Sequence, residues 1–173
     1  APAPAGDRIA LGAAFALCLG WAVYHAAIGF HFPISDQHGF RQSQTAITID
    51  ALLHGGPLLR YETPVLGPPW SIPFEFPLYQ WTVAALCLLT GLPVIEAGRA
   101  VSEVCFGLAL WVLSLVLGEV GVRPAHRLAF VALVLVSPLY AFWSRTVMIE
   151  STALLLCSAY LLAIARYARR PTF

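Results

Sequence analysis

Three carboxylates and three arginines, far apart in the chain, could carry chemistry: Asp36, Glu75 and Glu150 with Arg41, Arg99 and Arg145. A carboxylate can take a proton from an acceptor hydroxyl. A guanidinium can hold a phosphate through two parallel hydrogen bonds and stabilise the negative charge of a phosphate leaving group. Together the two types suit transfer of a group from a phosphate-linked lipid donor. Each residue has a plainer reading as well. Asp36, just after Ser35, can cap a helix or turn, and Glu75 and Glu150 can be structural partners of Arg60 and Arg145. Arg99 and Glu103 lie four apart on one helix face and can form a stabilising pair. His25, inside an apolar run, reads as a helix-packing histidine, and Asp50 as a solvent-facing one of the acids. His31, Asp36 and His38 make a weak metal-binding pattern with no fourth ligand, so a divalent metal stays open and no other cofactor is implied. Cys18, Cys87, Cys105 and Cys157 all lie in apolar runs without metal-ligand spacing and read as small buried hydrophobes.

The elements that must position these residues are membrane helices. The 173 residues are 59% hydrophobic and 11% charged, with mean hydropathy +0.76, where a soluble domain carries roughly 25% charged residues. The fold class is therefore an all-α polytopic membrane protein. A net charge of +1 gives no electrostatic case for a nucleic-acid partner, which would need a clustered basic face, and none is expected. The run Ile9–Phe30 is too long for a signal-peptide core and reads as an uncleaved span. Further apolar segments cover about 78–95, 97–120, 128–143 and 147–165. Gly91 and Pro93 stop a helix over about 78–90 after roughly 20 Å, short of the roughly 30 Å hydrocarbon core, so it reads as re-entrant or interfacial. Arginine placement agrees, because cytoplasmic loops hold the basic excess. With four spans, at about 9–30, 97–120, 128–143 and 147–165, Arg8, Arg123, Arg127, Arg166, Arg169 and Arg170 fall inside and Arg41, Arg60, Arg99 and Arg145 outside. Residues 31–96 then form one external segment, and the 144–150 turn faces the same side. That segment starts with an amphipathic helix at about 41–54, whose apolar stripe is Ala46, Ile47, Ile49, Leu52 and Leu53, ended by Gly55–Gly56. The proline-rich stretch YETPVLGPPWSIPFEFPLYQW, residues 61–81, follows. Its prolines bar a helix or a central strand, and Trp70, Phe74 and Phe76 suit the headgroup region, so it reads as a rigid external lid.

One order of features carries a resemblance: a span, an external Asp, a short helix with FRQSQTA ending in HGG, an EFPLYQW box, an AGR opening the next span, and an Arg-to-acid turn before the fourth. It resembles the N-terminal portion of membrane glycosyltransferases of the GT-C type, such as protein mannosyltransferases and the lipid A aminoarabinose transferase, over nearly the whole chain. The resemblance implies one transmembrane domain, of which residues 1–173 are the N-terminal part. It also implies transfer of a sugar, with inversion, from a polyprenyl-phosphate-linked donor to an external glycan, lipid or protein acceptor. The site would open to the periplasmic or extracellular side of a bacterial inner membrane. Carried over by position, Asp36 and Glu150 are the catalytic acids, with Asp36 as general base. Glu75 flanks the donor phosphate, and Arg41, Arg99 and Arg145 are the cations. Gln44 sits where some relatives have Asp, Gln37 follows Asp36 where many have an acid pair, and Phe76 precedes Pro77 where some place Lys, so an arginine must supply the charge. The alternative is a non-catalytic membrane protein of the same architecture: a lipid-phosphate binder or a transport or assembly subunit. As part of a larger domain, the chain alone is expected to be inactive.

Overall fold

The structure is a computed structural model and describes residues 5–34, 38–61, 63, 67 and 75–169. It is all-helical: among the described residues there are seven helices and no strand. These are α1 (Ala5–Gly29), α2 (Gly39–Leu53), α3 (Leu78–Thr90), α4 (Val94–Glu119), α5 (Pro124–Val136), α6 (Pro138–Trp143) and α7 (Glu150–Arg169). Local chemistry explains most of the ends. α3 stops where Gly91 turns left-handed, at φ 74°, and donates its N–H to the Cys87 carbonyl at 2.8 Å. Pro93 then leads into α4. Gly55 and Gly121, with φ of 88° and 87°, do the same work after α2 and α4. Pro124 opens α5 at a position whose N–H has no intrahelical partner to lose.

Three helical stretches are long and apolar enough to cross a membrane: Ile9–Gly29, Val94–Glu119 and Glu150–Arg169. The segment read as a span over 128–143 is built differently. It comprises most of α5 and all of α6, parted at Ser137, whose extended conformation (φ −66°, ψ 123°) is the one a residue before proline prefers. Pro138 begins α6, so the chain bends there rather than continuing as one rod.

Contacts at the helix ends give the course of the chain. At one end, Arg99 Nη1 on α4 donates to the carbonyl of Phe30, just past α1, at 2.8 Å, and His31 lies 3.4 Å from Glu96. At that same end, Ser102 Oγ donates to the Thr146 carbonyl at 2.6 Å, just ahead of α7. At the other end, Arg166 and Arg169 of α7 pair with Glu119 of α4 at 3.4 and 3.5 Å. α4 and α7 therefore run parallel, and α1 antiparallel to both. The chain passes along the bundle four times, through α1, α4, α5–α6 and α7. α2 and α3 sit at the end where α1 finishes and α4 and α7 begin.

The tightest packing is also at that end. Ile49 of α2, Val83 of α3, Ala97 and Val101 of α4, and Val147 of the turn before α7 form one buried cluster. Ala46 and Leu53 pack against it, whereas Ile47 of the expected stripe is exposed. Gly98 allows this closeness: a Cβ there would meet Val147 Cγ1 at 2.7 Å and the Tyr79 hydroxyl at 3.1 Å. Along the rest of the bundle, large apolar side chains such as Leu17, Trp111 and Tyr160 face outward.

Candidate functional site

Arg41, in the first turns of α2, ties three elements together. Its Nη2 lies 3.6 Å from Glu75 Oε2, just before α3, and 3.4 Å from Glu150 Oε1, the first residue of α7. The guanidinium is half exposed, and such pairs contribute only about 0–1 kcal/mol to stability. Its significance is positional: residues 41, 75 and 150 come from distant parts of the chain.

Each carboxylate is held from behind. Gln80 Nε2 donates to Glu75 Oε1 at 3.0 Å. The Tyr61 hydroxyl donates to the Glu75 carbonyl at 2.9 Å and accepts its N–H at 3.2 Å. The turn carrying Glu150 is pinned by Gln42, whose side-chain oxygen accepts the Val147 N–H at 3.1 Å, and by Ser102 through the Thr146 carbonyl. Tyr79 supports Ser102 at 3.2 Å and donates to the Gly98 carbonyl at 2.9 Å. Burial raises the Tyr79 phenol well above its ordinary range, with the Ser102 hydrogen bond only partly opposing, so it remains a neutral donor.

Beside Arg41 opens a cavity of about 320 Å³, lined by Arg41, Gln44, Thr45, Thr48, Tyr61, Thr63, Glu75 and Gln80. A second crevice of about 300 Å³ is lined by Glu150 together with Phe106, Tyr140, Trp143 and Leu154. Glu150, in the wall of this aromatic, mostly apolar crevice, turns Oε1 toward Arg41 in the wall of the polar cavity, and its Oε2 is buried without a partner.

Of the residues marked by the sequence, the structure gathers Arg41, Gln44, Glu75 and Glu150. Two others stand apart. Arg99 is 4% exposed and donates to the carbonyls of Phe30 and Phe32, closing the C-terminal end of α1. Arg145 packs on the backbone of Gly29, where any Cβ would collide with its guanidinium. Glu103 lies in the fields of both arginines. Asp36 lies outside the described residues, as do Glu62, Trp70 and Phe74. Glu75 pairs with Arg41 in place of the Arg60 partner weighed from the sequence. Among the described residues no group of three His, Cys, Asp or Glu could hold a metal ion. Of the weak metal pattern, His31 pairs with Glu96, and the His38 ring lies tilted against that of Trp143 with centroids 4.9 Å apart.

Sequence reasoning missed Tyr61, Thr63, Gln80 and the α2 threonines. A signal for the last existed. Arg41, Gln44, Thr45 and Thr48 follow the i, i+3, i+4, i+7 spacing of one helix face, a polar stripe beside the apolar one. No family model matches the chain, and no curated protein or solved structure matches it either.

Proposed function

We propose that this protein is a membrane glycosyltransferase, or the part of one that holds the donor site, moving a sugar from a polyprenyl-phosphate carrier to an acceptor outside the cytoplasm. The observation that carries the reading is Arg41 between Glu75 and Glu150 at the junction of a polar cavity and an aromatic crevice. Those two environments suit the two halves of an amphiphilic donor. The prenyl chain lies along Phe106, Tyr140 and Trp143, the phosphate meets the half-exposed Arg41, and the sugar enters the polar cavity.

Chemically, the acceptor oxygen attacks the anomeric carbon, and the sugar–phosphate C–O bond breaks with its electron pair leaving on the phosphate. Attack opposite the leaving group inverts the anomeric centre. A carboxylate takes the acceptor proton, a role for Asp36 or Glu150, and Arg41 neutralises charge on the departing phosphate. Four membrane crossings, by α1, α4, α5–α6 and α7, with α2 and α3 at the non-cytoplasmic face, fit this reading. Arg123, Arg127, Arg166 and Arg169 then lie at the cytoplasmic end.

The test is transfer of a radiolabelled sugar in membranes carrying the complete protein. Asp36→Asn or Glu150→Gln should lower the rate by about 10²-fold or more. Wild-type rates in both variants would overturn the mechanism. A second reading, a lipid-phosphate binder without turnover, draws on the neutral Gln44 in the cavity wall. Prenyl-phosphate binding with no product in the same membranes would establish it.

A further inference from the structure

Arginine also meets apolar surface at the end of the bundle away from Arg41. A groove of about 400 Å³ runs between α1, α4 and α5. Its walls are apolar: Phe15 and Leu19 of α1, Trp111 of α4, and Leu128, Val131 and Leu135 of α5. Along α5 it extends from Pro124 to Leu135, about 16 Å at a rise of about 1.5 Å per residue. That is close to half of the roughly 30 Å hydrocarbon core, the depth filled by one leaflet's acyl chain. Near the helix ends the wall turns polar, with Arg127 and Ser114. Arg127 Nη1 donates to the Ser114 carbonyl at 3.3 Å, and the guanidinium packs where any Cβ on Gly118 would collide with it. Its Nε is buried with no acceptor. A buried N–H of a charged group without an acceptor is an unmet demand. Glu119, the only acid at this end among the described side chains, pairs with Arg166 and Arg169. The exposed Arg123 stands one turn before Arg127, and both sit at the N-terminal end of α5, the end of a helix that favours an anion.

We infer that this groove is a binding site for an anionic phospholipid, with one acyl chain along α5 and the phosphate at Arg127. The site requires only that these helices lie in a bilayer, and it is independent of sugar transfer. An acyl chain covers Phe15, Trp111 and Val131, and a phosphate oxygen supplies the acceptor that Arg127 Nε lacks, as a charge-assisted contact. A zwitterionic lipid carries its own cation beside the phosphate, which offsets the attraction. A free phosphate gains nothing from the apolar walls. A further helix laid in the groove would bury the guanidinium against apolar side chains unless it brought an acid to the same depth. On the sidedness proposed above this is the cytoplasmic end, where basic side chains beside a membrane helix meet anionic headgroups.

The experiment is a lipid titration read by native mass spectrometry on the complete protein in uncharged detergent. The probes are phosphatidylglycerol and phosphatidylcholine with the same dioleoyl chains, and glycerol phosphate as a competitor without chains. Phosphatidylglycerol should bind about fivefold tighter than phosphatidylcholine, the factor that one basic contact supplies. Arg127→Gln, shown folded by its thermal melt, should erase that preference. Arg169→Gln removes the same charge at the same end and should leave the preference within about twofold of wild type, because its exposed pair contributes little. Val131→Phe, which fills the groove, should weaken phosphatidylglycerol binding about fivefold. Glycerol phosphate in excess should displace no lipid. Equal binding of the two lipids by the wild-type protein overturns the inference, whatever the variants do. Equal losses in the Arg127 and Arg169 variants also overturn it, because they mark diffuse attraction rather than a site. Displacement by glycerol phosphate rejects the acyl groove. Binding of neither lipid shows that another segment or a partner protein covers the groove, and rejects the inference too. None of these results bears on transfer at the Arg41 end, so the two proposals fail separately.

Discussion

Arg41 and Arg99 show how two residues of one type come to do different work. Arg41 is half exposed between two carboxylates, while Arg99 is buried and donates to the carbonyls that end α1. Their substitutions should part accordingly. Arg41→Gln should change unfolding by no more than about 1 kcal/mol, because a half-exposed pair is screened by water. The same change should weaken farnesyl phosphate binding about tenfold, through loss of a charge-assisted contact. Arg99→Leu should do the reverse at the level of the fold: it takes the buried guanidinium away from the part-buried carbonyls of Phe30 and Phe32 and should cost about 1–3 kcal/mol. Thermal unfolding and a phosphate-binding titration on both variants measure the contrast. A strongly destabilised Arg41 variant would show that the residue serves the fold.

At the scale of elements, the turn before α7 is the vulnerable piece. Glu150 has its place because Gln42, Ser102 and the close approach at Gly98 hold residues 146–147 against α2 and α4. A side chain at position 98 must push on Val147 and Tyr79. Gly98→Leu should therefore destabilise by about 1–3 kcal/mol, in the range for overpacking a filled site. It should also reduce phosphate binding, since the turn that carries Glu150 moves with Val147. Gly107 sits on the same helix with open space around it. Gly107→Ala should therefore be neutral or slightly stabilising, because alanine is the better helix former by about 1 kcal/mol. Equal effects at 98 and 107 in a thermal melt would mean that packing at the turn is not what limits α4.

For the molecule as a whole, the proposal rests on which end of the bundle faces which compartment. In a variant whose native cysteines are replaced by alanine, single cysteines at positions 36, 75 and 150 should all react with an impermeant maleimide applied from outside intact cells. A cysteine at position 166, beside Glu119 at the opposite end, should react only after the membrane is opened. Reaction of 75 or 150 from the cytoplasmic side alone would place the cavity in the wrong compartment for an external acceptor, and the proposed function would fall.

The amino-acid sequence by itself determined the class and the punctuation. Apolar content far above that of a soluble chain favours long apolar helices, three of them long enough to cross a membrane, and Gly91, Gly121 and Pro138 stop or break helices where they stand, because φ limits and missing donors act locally. The polar stripe of α2 was equally present in its spacing. What only the tertiary structure decided was company. Glu75 could have joined Arg60, and Arg145 could have joined Glu150, on type and charge alone. The packing of α2, α3 and α7 set Arg41 between the two acids and turned Arg99 and Arg145 toward the end of α1. A side chain's partner from a distant segment depends on how each helix is rotated and how closely it approaches its neighbours. Those quantities come from the joint fit of all the buried surfaces, which no single stretch of sequence contains.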